Sequence, residues 1–304
     1  WRGGERARPK GVQSRGESMA MSATKGLRAN IGARGRGLRP GAMVVRYHSP
    51  RLRYMASPWG GRHCGAPLQG MGGKAEFKWR LFSTSYENEM AGAPDSMDYR
   101  IFFKKEGKTV SPWHDIPLKC DEAGLYNFVC EIPKETSAKM EVATDEPSTP
   151  IKQDTKKGAL RFYPYNINWN YGLFPQTWED PAHENKEMNV MGDNDPVDVV
   201  EIGSKQLAMG GVYKVKPLGV YAMIDDGELD WKVICLNVDD PKASVVNTIE
   251  DVEREFPGEL EKILVWFRDY KMPDGKPANK FGFDNKCLDK DFALEVIEET
   301  SAFY

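Results

Sequence analysis

Histidine and cysteine are both scarce in this sequence. Four His and five Cys (Cys64, Cys120, Cys130, Cys235, Cys287) are spread over 304 residues, and no C-x-x-C pair occurs. That spread excludes the usual structural zinc sites, and an odd count offers no disulfide framework. The five are read as free thiols in a reducing compartment. No apolar run reaches the ~18–20 residues that a membrane-spanning helix needs. The glycine-rich G-x-x-x-x-G-K-[ST] loop is missing, which argues against a nucleoside-triphosphate cradle. No internal repeat is present.

Length and charge come next. A chain of 304 residues accommodates one large domain or two ordinary ones. The net charge of −3 conceals a division: residues 1–80 carry 17 Lys and Arg against three acids, leaving 25 basic against 42 acidic side chains in the remainder. The basic segment, with "NIGARGRGLRPG" and "SPWGGRHCGAPLQGMGG", lacks a sustained apolar period and is read as disordered. An Arg-rich, Ser-containing, acid-poor N-terminus has the composition of an organellar transit peptide. Two rival readings are an RGG-like nucleic-acid tail and untranslated sequence read through, with Met19 or Met21 as the true start. Residues 1–85 are therefore expected to be a targeting segment and residues 86–304 the folded domain.

Within that domain, "DYRIFF", "YNFVCEI", "AKMEVAT", "DPVDVVEIG", "GGVYKVKPLGVYAMI" and "DWKVICLNV" read as strands bounded by Gly and Pro. Strands so short and so spaced predict a mainly β fold, a closed or nearly closed antiparallel barrel. The last sixty residues change period. Thr248 is placed to cap a helix over "IEDVEREF", and "ELEKILVWFRDYK" sets Leu260, Ile263, Leu264 and Phe267 at helical spacing. "KDFALEVIEETSAFY" repeats the pattern through Phe292 and Val296. These helices are expected to flank the barrel.

Chemistry concentrates in "GDNDPVDVVEIG", residues 192–203, where Asp193, Asp195 and Asp198 fall within six positions. Extended backbone would put Asp193 and Asp195 on one face. Three carboxylates so close repel one another unless a cation compensates. Oxygen donors without His or Cys suit Mg²⁺, Mn²⁺ or Ca²⁺. An EF-hand is excluded, because a loop starting at Asp193 has Asp198 where glycine is required and Ser204 where the bidentate acid is required. A second string, "DDGELDWK", supplies Asp225, Asp226, Glu228 and Asp230 beside Lys232. Its alternation puts Asp226, Glu228 and Asp230 on one face and leaves Asp225 out of register until Gly227 bends the chain. Carboxylates followed by lysine suit a metal–phosphate site. Lys139, Glu141, Arg161, Tyr270 and Lys271 are ordinary one by one and matter only if they meet the aspartates in space.

The ordered set "SPWHDIPL", "VCEIP", "AKMEV", "PIKQDTKKGALRF", "NYGLFPQTWEDP", "GDNDPVDVVEIG", "DDGELDWKV", "VEREFPG" and "WFRDYKMPDGKPANKFGF" resembles family I soluble inorganic pyrophosphatase, its eukaryotic branch. "FYPYNINWNYG" is most similar to plastid members. The resemblance implies a five-stranded OB-like barrel with flanking helices, several Mg²⁺ ions with Mn²⁺ as a possible substitute, and hydrolysis of pyrophosphate to two orthophosphates by a metal-activated water. Asp193, Asp198 and Asp230 match the principal metal ligands, and Glu141 and Asp225 the additional ones. Asp195 matches the carboxylate beside the attacking water. Lys139, Arg161, Lys232, Tyr270 and Lys271 match phosphate-holding groups, with Tyr171 at the edge and Glu131 lining the site. Either Tyr163 or Tyr165 is expected to take the place of a further active-site tyrosine.

The expected location is the plastid, with the mitochondrion as the alternative. The expected assembly is monomer or homodimer, with no membrane partner. A nucleic-acid-binding barrel is disfavoured by the acidic balance of residues 81–304, since such binding rests on Lys and Arg neutralising phosphates. A non-catalytic metal-binding domain is the other rival.

Overall fold

Aromatic and β-branched residues, punctuated by Gly and Pro, give short strands throughout the first two thirds of the domain. The computed structural model describes residues 86–304; the segment read as a transit peptide, with Cys64, lies outside the described residues. The chain begins with β1 (Tyr86–Ala91), β2 (Arg100–Lys105) and β3 (Lys108–Val110). β4 (Tyr126–Ile132) is buried at every position, its apolar and aromatic residues interrupted by Asn127 and Glu131, which are buried as well. Five short strands follow: β5 (Thr136–Ala138), β6 (Met140–Val142), β7 (Ile151–Gln153), β8 (Thr155–Lys156) and β9 (Ala159–Leu160). Then come β10 (Phe162–Ile167), β11 (Asn170–Leu173), β12 (Glu184–Asn185) and β13 (Val190–Met191). The last are β14 (Asp198–Glu201), β15 (Val212–Asp225), β16 (Glu228–Asn237) and β17 (Lys280–Phe281).

Two larger sheets result. One has five strands in the path β1-β2-β7-β6, with β3 on β2. The other runs β16-β14-β11-β4-β15-β17, and β15 also pairs with β16. The expected five-stranded, wholly antiparallel OB-like barrel is thereby corrected. The five-stranded sheet is open, and the sheet bearing the acidic strings has six strands and a parallel pairing of β14 with β16. Alternation in the sequence reports which face of a strand is buried, not which strand lies beside it. β15 illustrates the difference: Val212–Val215 pair with β4, while the stretch from Val215 to Asp225 pairs with β16.

The helices follow the sequence pattern closely. α1 (Ile249–Glu255) starts at Thr248, whose side chain accepts from the Asp251 N–H in a reciprocal capping box. α2 (Glu259–Asp269) buries Leu260, Ile263, Trp266 and Phe267, so Trp266 takes the place given to Leu264, which is half-buried. α3 (Lys290–Phe303) is capped by Asp289 and buries Ala293, Val296 and Ile297 in a cluster with Val220, Ala222 and Val233. Phe292 packs at that cluster's margin. Among the described residues no helix is long and apolar enough to cross a membrane, and Cys120, Cys130, Cys235 and Cys287 are free thiols.

Candidate active site

The six-stranded sheet gathers the charged residues of three strands by register. β14 runs beside β16 with Asp198 opposite Lys232. Leu173 of β11 lies opposite Asp198 on the other side, which puts Tyr171, two residues back, on the same face. The Tyr171 hydroxyl donates to Asp198, and the Lys232 ammonium reaches both Asp198 and Asp230. The β15–β16 hairpin turns at Asp226 and Gly227, both at positive φ, so that Asp225 pairs with Glu228 and Met223 with Asp230. Cross-strand partners share a face, so Asp225 and Asp230 lie on the same side. With the chain bent at Gly227, Asp225 comes onto the face that Glu228 and Asp230 share, and only Asp226, expected on that face, is corrected: it lies in the turn itself.

The loop before β14 brings in Asp193 and Asp195 by a different route from the one expected. Residues 193–195 form no strand; Asn194 has φ +73°, and the Asp195 N–H donates to Asp193 Oδ1 at 3.0 Å. A left-handed turn, not strand alternation, sets the two side chains. This loop lies hard against the 179–180 backbone. The Asn194 N–H donates to Glu179 O and the Glu179 N–H to Asp195 O, each at 2.9 Å. A Cβ on Gly192 would stand 2.4 Å from the Glu179 carbonyl, so only glycine admits the approach.

The remaining cations converge from other elements. The backbones of Lys139, Asp154 and Arg161 are joined: Asp154 N–H donates to Lys139 O and Arg161 N–H to Asp154 O, both at 2.8 Å. Arg161 Nη1 donates to Asp154 Oδ2 at 2.7 Å, and Lys139 pairs with Glu141 and lies 3.5 Å from Asp154. Beyond α2, Tyr270 donates to Asp225 Oδ2 at 3.3 Å, and Lys271 pairs with Asp225. Trp266 stacks on Tyr270 with centroids 5.2 Å apart, and Tyr163 meets both rings edge-on. Aromatic packing therefore fixes the phenols of the site.

Most of these charged and phenolic side chains line one cavity of about 240 Å³; Asp154 lies outside its lining. Of the residues named from the sequence, Glu131, Lys139, Glu141, Arg161, Tyr171, Asp193, Asp195, Asp198, Asp225, Asp230, Lys232, Tyr270 and Lys271 line it, and Asp226 and Glu228 do not. Drug-sized ligand pockets run to roughly 300–1,000 Å³ and are mostly apolar. This one is smaller and lined by ionisable groups, as a small anion requires. Tyr163 lines the cavity, whereas Tyr165 lies outside it, exposed and edge-on to Trp266. Glu131 is buried and accepts from the Val142 N–H at 2.7 Å.

Two carboxylates were not found by sequence reasoning. Glu179 is buried, accepts from the Trp231 N–H at 2.8 Å, and offers an oxygen within 4.8 Å of those of Asp193 and Asp230. Asp154 links Lys139 to Arg161. Asp154 stands among neutral and basic neighbours in "KQDTKK", and Glu179 has a single acidic neighbour, Asp180, in "QTWEDP", so neither string has the acid density that marks residues 193–198. The usable signal for Glu179 was an acid in a segment otherwise apolar enough to be buried.

The electrostatics is that of an unneutralised cluster. Burial first, then Asp193 and Asp198, pushes the Asp195 carboxyl up to about 7. Burial first, then Asp193 and Asp230, raises Glu179 well above the carboxylate range. Asp230 rises through burial, against the pull of Lys232. Glu131 rises through burial and then through Asp198. Burial works against the charge on Lys232, but Asp198 and Asp230 outweigh it and hold the ammonium protonated. Several like charges that water cannot reach call for more positive charge than one lysine supplies. Asp193, Asp198, Asp230 and Glu179 are hard oxygen donors, so their chemistry fits a hard divalent ion such as Mg²⁺.

A cluster of oxygen donors that shares one small cavity with Lys, Arg and Tyr donors defines a protein that handles a metal-complexed phosphate. Comparison with known proteins narrows the class. The pattern of the family described as Inorganic pyrophosphatase matches residues 128–304, more than half of the chain. A curated relative from Chlamydomonas reinhardtii, "Soluble inorganic pyrophosphatase 1, chloroplastic", is 66% identical over 221 residues, 73% of this chain and 79% of its own. Another from Arabidopsis thaliana, "Soluble inorganic pyrophosphatase 6, chloroplastic", is 60% identical over 73% of this chain and 74% of its own. Among solved structures, type I inorganic pyrophosphatase from Toxoplasma gondii has a TM-score of 0.70 at 45% identity, covering 72% of this chain and 98% of that one. An N-terminally truncated vacuolar soluble pyrophosphatase from Trypanosoma cruzi, solved in complex with PPi, has a TM-score of 0.69 at 41% identity, covering 78% and 97%. The chain belongs to the inorganic pyrophosphatase family.

Proposed function

We propose that this chain hydrolyses inorganic pyrophosphate to two orthophosphates, using Mg²⁺ held by Asp193, Asp198, Asp230 and Glu179, with Asp225 and Glu141 as further ligands. The observation that carries the reading is the convergence of Glu179, Asp193 and Asp230, whose oxygens lie within 4.8 Å of one another, at a cavity that Asp193 and Asp230 line together with Lys232. Bound divalent ions would supply neutralising charge to the phosphoryl oxygens and acidify water. Lys139, Arg161, Lys232, Tyr270 and Lys271 bind and orient the substrate, with Tyr171 and Tyr163 at its edge. Asp195 accepts the proton of the attacking water as its oxygen bonds to one phosphorus. The bridging P–O bond breaks, and its electron pair leaves with the second phosphate, whose charge the Lys and Arg side chains stabilise.

The names of two plant-type relatives, both chloroplastic, support plastid localisation, as does the acid-poor, Arg-rich composition of residues 1–85. On this reading residues 86–304 are the catalytic domain. A chain starting at Tyr86 should fold and keep full activity, and residues 1–85 should carry a reporter into plastids; cytosolic retention of the reporter sinks the targeting role.

The metal reading is tested by replacing Mg²⁺ with Ca²⁺. Ca²⁺ takes six to eight oxygens at longer, looser distances, so it should bind but support little turnover. Equal turnover with both ions counts against the geometry proposed. Mg²⁺ binding with no pyrophosphate turnover favours the rival, a non-catalytic metal-binding domain.

A further inference from the structure

We propose that Trp178 is a positioning residue for the metal-binding loop and acts through Asn194; the inference rests on the Mg²⁺ reading above. Asp193 and Asp195 flank Asn194, and the direction in which each carboxylate leaves the loop depends on the left-handed conformation at that residue, φ +73°. Asn enters this region more readily than most L residues, yet nothing in the residue itself selects it over extended backbone. The surroundings make the selection. The Asn194 N–H donates to Glu179 O at 2.9 Å, and the Trp178 indole Nε1–H donates to Asn194 Oδ1 at 3.2 Å. One segment, residues 178–179, thus grips the turn by its backbone and by its side chain.

The grip is useful only if Trp178 is itself fixed, and it is. Its own N–H donates to the carbonyl of Thr300 in α3 at 3.0 Å. The preceding Thr177 accepts from the Val197 N–H through its hydroxyl at 3.0 Å and from the Trp113 indole through its carbonyl at 2.8 Å. The indole therefore projects from a backbone tied to α3, to the start of β14 and to Trp113. The loop it holds has one bridge to the sheet before this turn, Gly192 to Leu229. Without the indole bond, the Asn194 side chain is free to rotate. Asp193 then samples orientations in which it no longer converges with Asp230 and Glu179, and ion binding has to restore the turn.

The test uses the full chain and Mg²⁺ alone, titrated calorimetrically, beside the melting temperature of the metal-free protein. Trp178→Phe keeps an aromatic ring at the position and deletes the donor with the pyrrole half of the indole. It should raise the Mg²⁺ dissociation constant about three- to tenfold, the worth of one hydrogen bond, with little change in metal-free melting. Asn194→Gly keeps the positive φ at no steric cost and deletes the acceptor, so it should weaken binding comparably. The double variant should bind no more weakly than the weaker single, because both remove the same bond. A Trp178→Phe dissociation constant within twofold of wild type, effects that multiply in the double variant, or a lower melting temperature with unchanged Mg²⁺ affinity would each overturn the positioning role. Failure of the wild type to bind Mg²⁺ would overturn the metal reading and this inference with it.

Discussion

At the scale of single residues, the proposed mechanism separates carboxylates that would hold an ion from one that would accept a proton. Asp195 sits beside Asp193 in sequence, but its side chain makes no ion pair comparable with the Lys232 pairs of Asp198 and Asp230. Its carboxyl is raised to about 7, chiefly by burial, where a proton acceptor works best near neutral pH. Asp195→Asn is nearly isosteric and cannot take the proton. Turnover should fall by ~10²–10⁴, while the melting temperature and Mg²⁺ affinity change little. Steady-state rates against pH together with a Mg²⁺ titration check this, and near-wild-type turnover would make Asp195 structural. The three aspartates of "GDNDPVDVVEIG" were legible because they are crowded together. Glu179 and Asp154 were not, because neither lies in an acid-dense string and each acquires its role only when distant segments meet.

Elements decide how closely those residues approach. The loop carrying Asp193 and Asp195 lies against residues 179–180 with no room for a Cβ at Gly192. Gly192→Ala forces that backbone apart and should destabilise the fold by about 1–3 kcal/mol, the usual cost of overpacking. Urea denaturation measures the loss, and an unchanged midpoint would show that the loop gives way freely. Helical elements were readable almost to the residue, because the stripe of α2 and the capping box of α1 are local signals. The sheets were less so. Asp226 was assigned to the face of Asp230 although it lies in the two-residue turn that sets the β15–β16 register, and strand direction left no mark that would have revealed β14 parallel to β16. The alternation assumed for residues 193–195 failed for a related reason: a single left-handed residue replaces two strand steps.

For the whole molecule, the buried acids tie stability to pH and to metal. Asp193, Asp195, Glu179 and Asp230 all have carboxyls raised by burial first. A raised value means that the folded chain holds protons which the unfolded chain has released. Stability of the metal-free protein should therefore fall as pH rises from about 4, the ordinary carboxylate value, through about 7. Asp154, where Lys139 and Arg161 overcome the effect of burial and lower the carboxyl, acts below that window. Thermal melts without metal should show a lower midpoint at pH 8 than at pH 5.5. Saturating Mg²⁺, binding the folded state, should raise the pH 8 midpoint most. A metal-free midpoint that climbs toward pH 8 would contradict the crowded-carboxylate account.

On the proposed mechanism these carboxylates and cations together drive cleavage of the phosphoanhydride in pyrophosphate. Its most direct test is orthophosphate release by the purified chain given pyrophosphate and Mg²⁺, with ATP as the control substrate. The account predicts two orthophosphates per pyrophosphate, strict dependence on the divalent ion, and little release from ATP, since the chain has no nucleotide-binding loop. Tight Mg²⁺ binding with no orthophosphate released from pyrophosphate would contradict it.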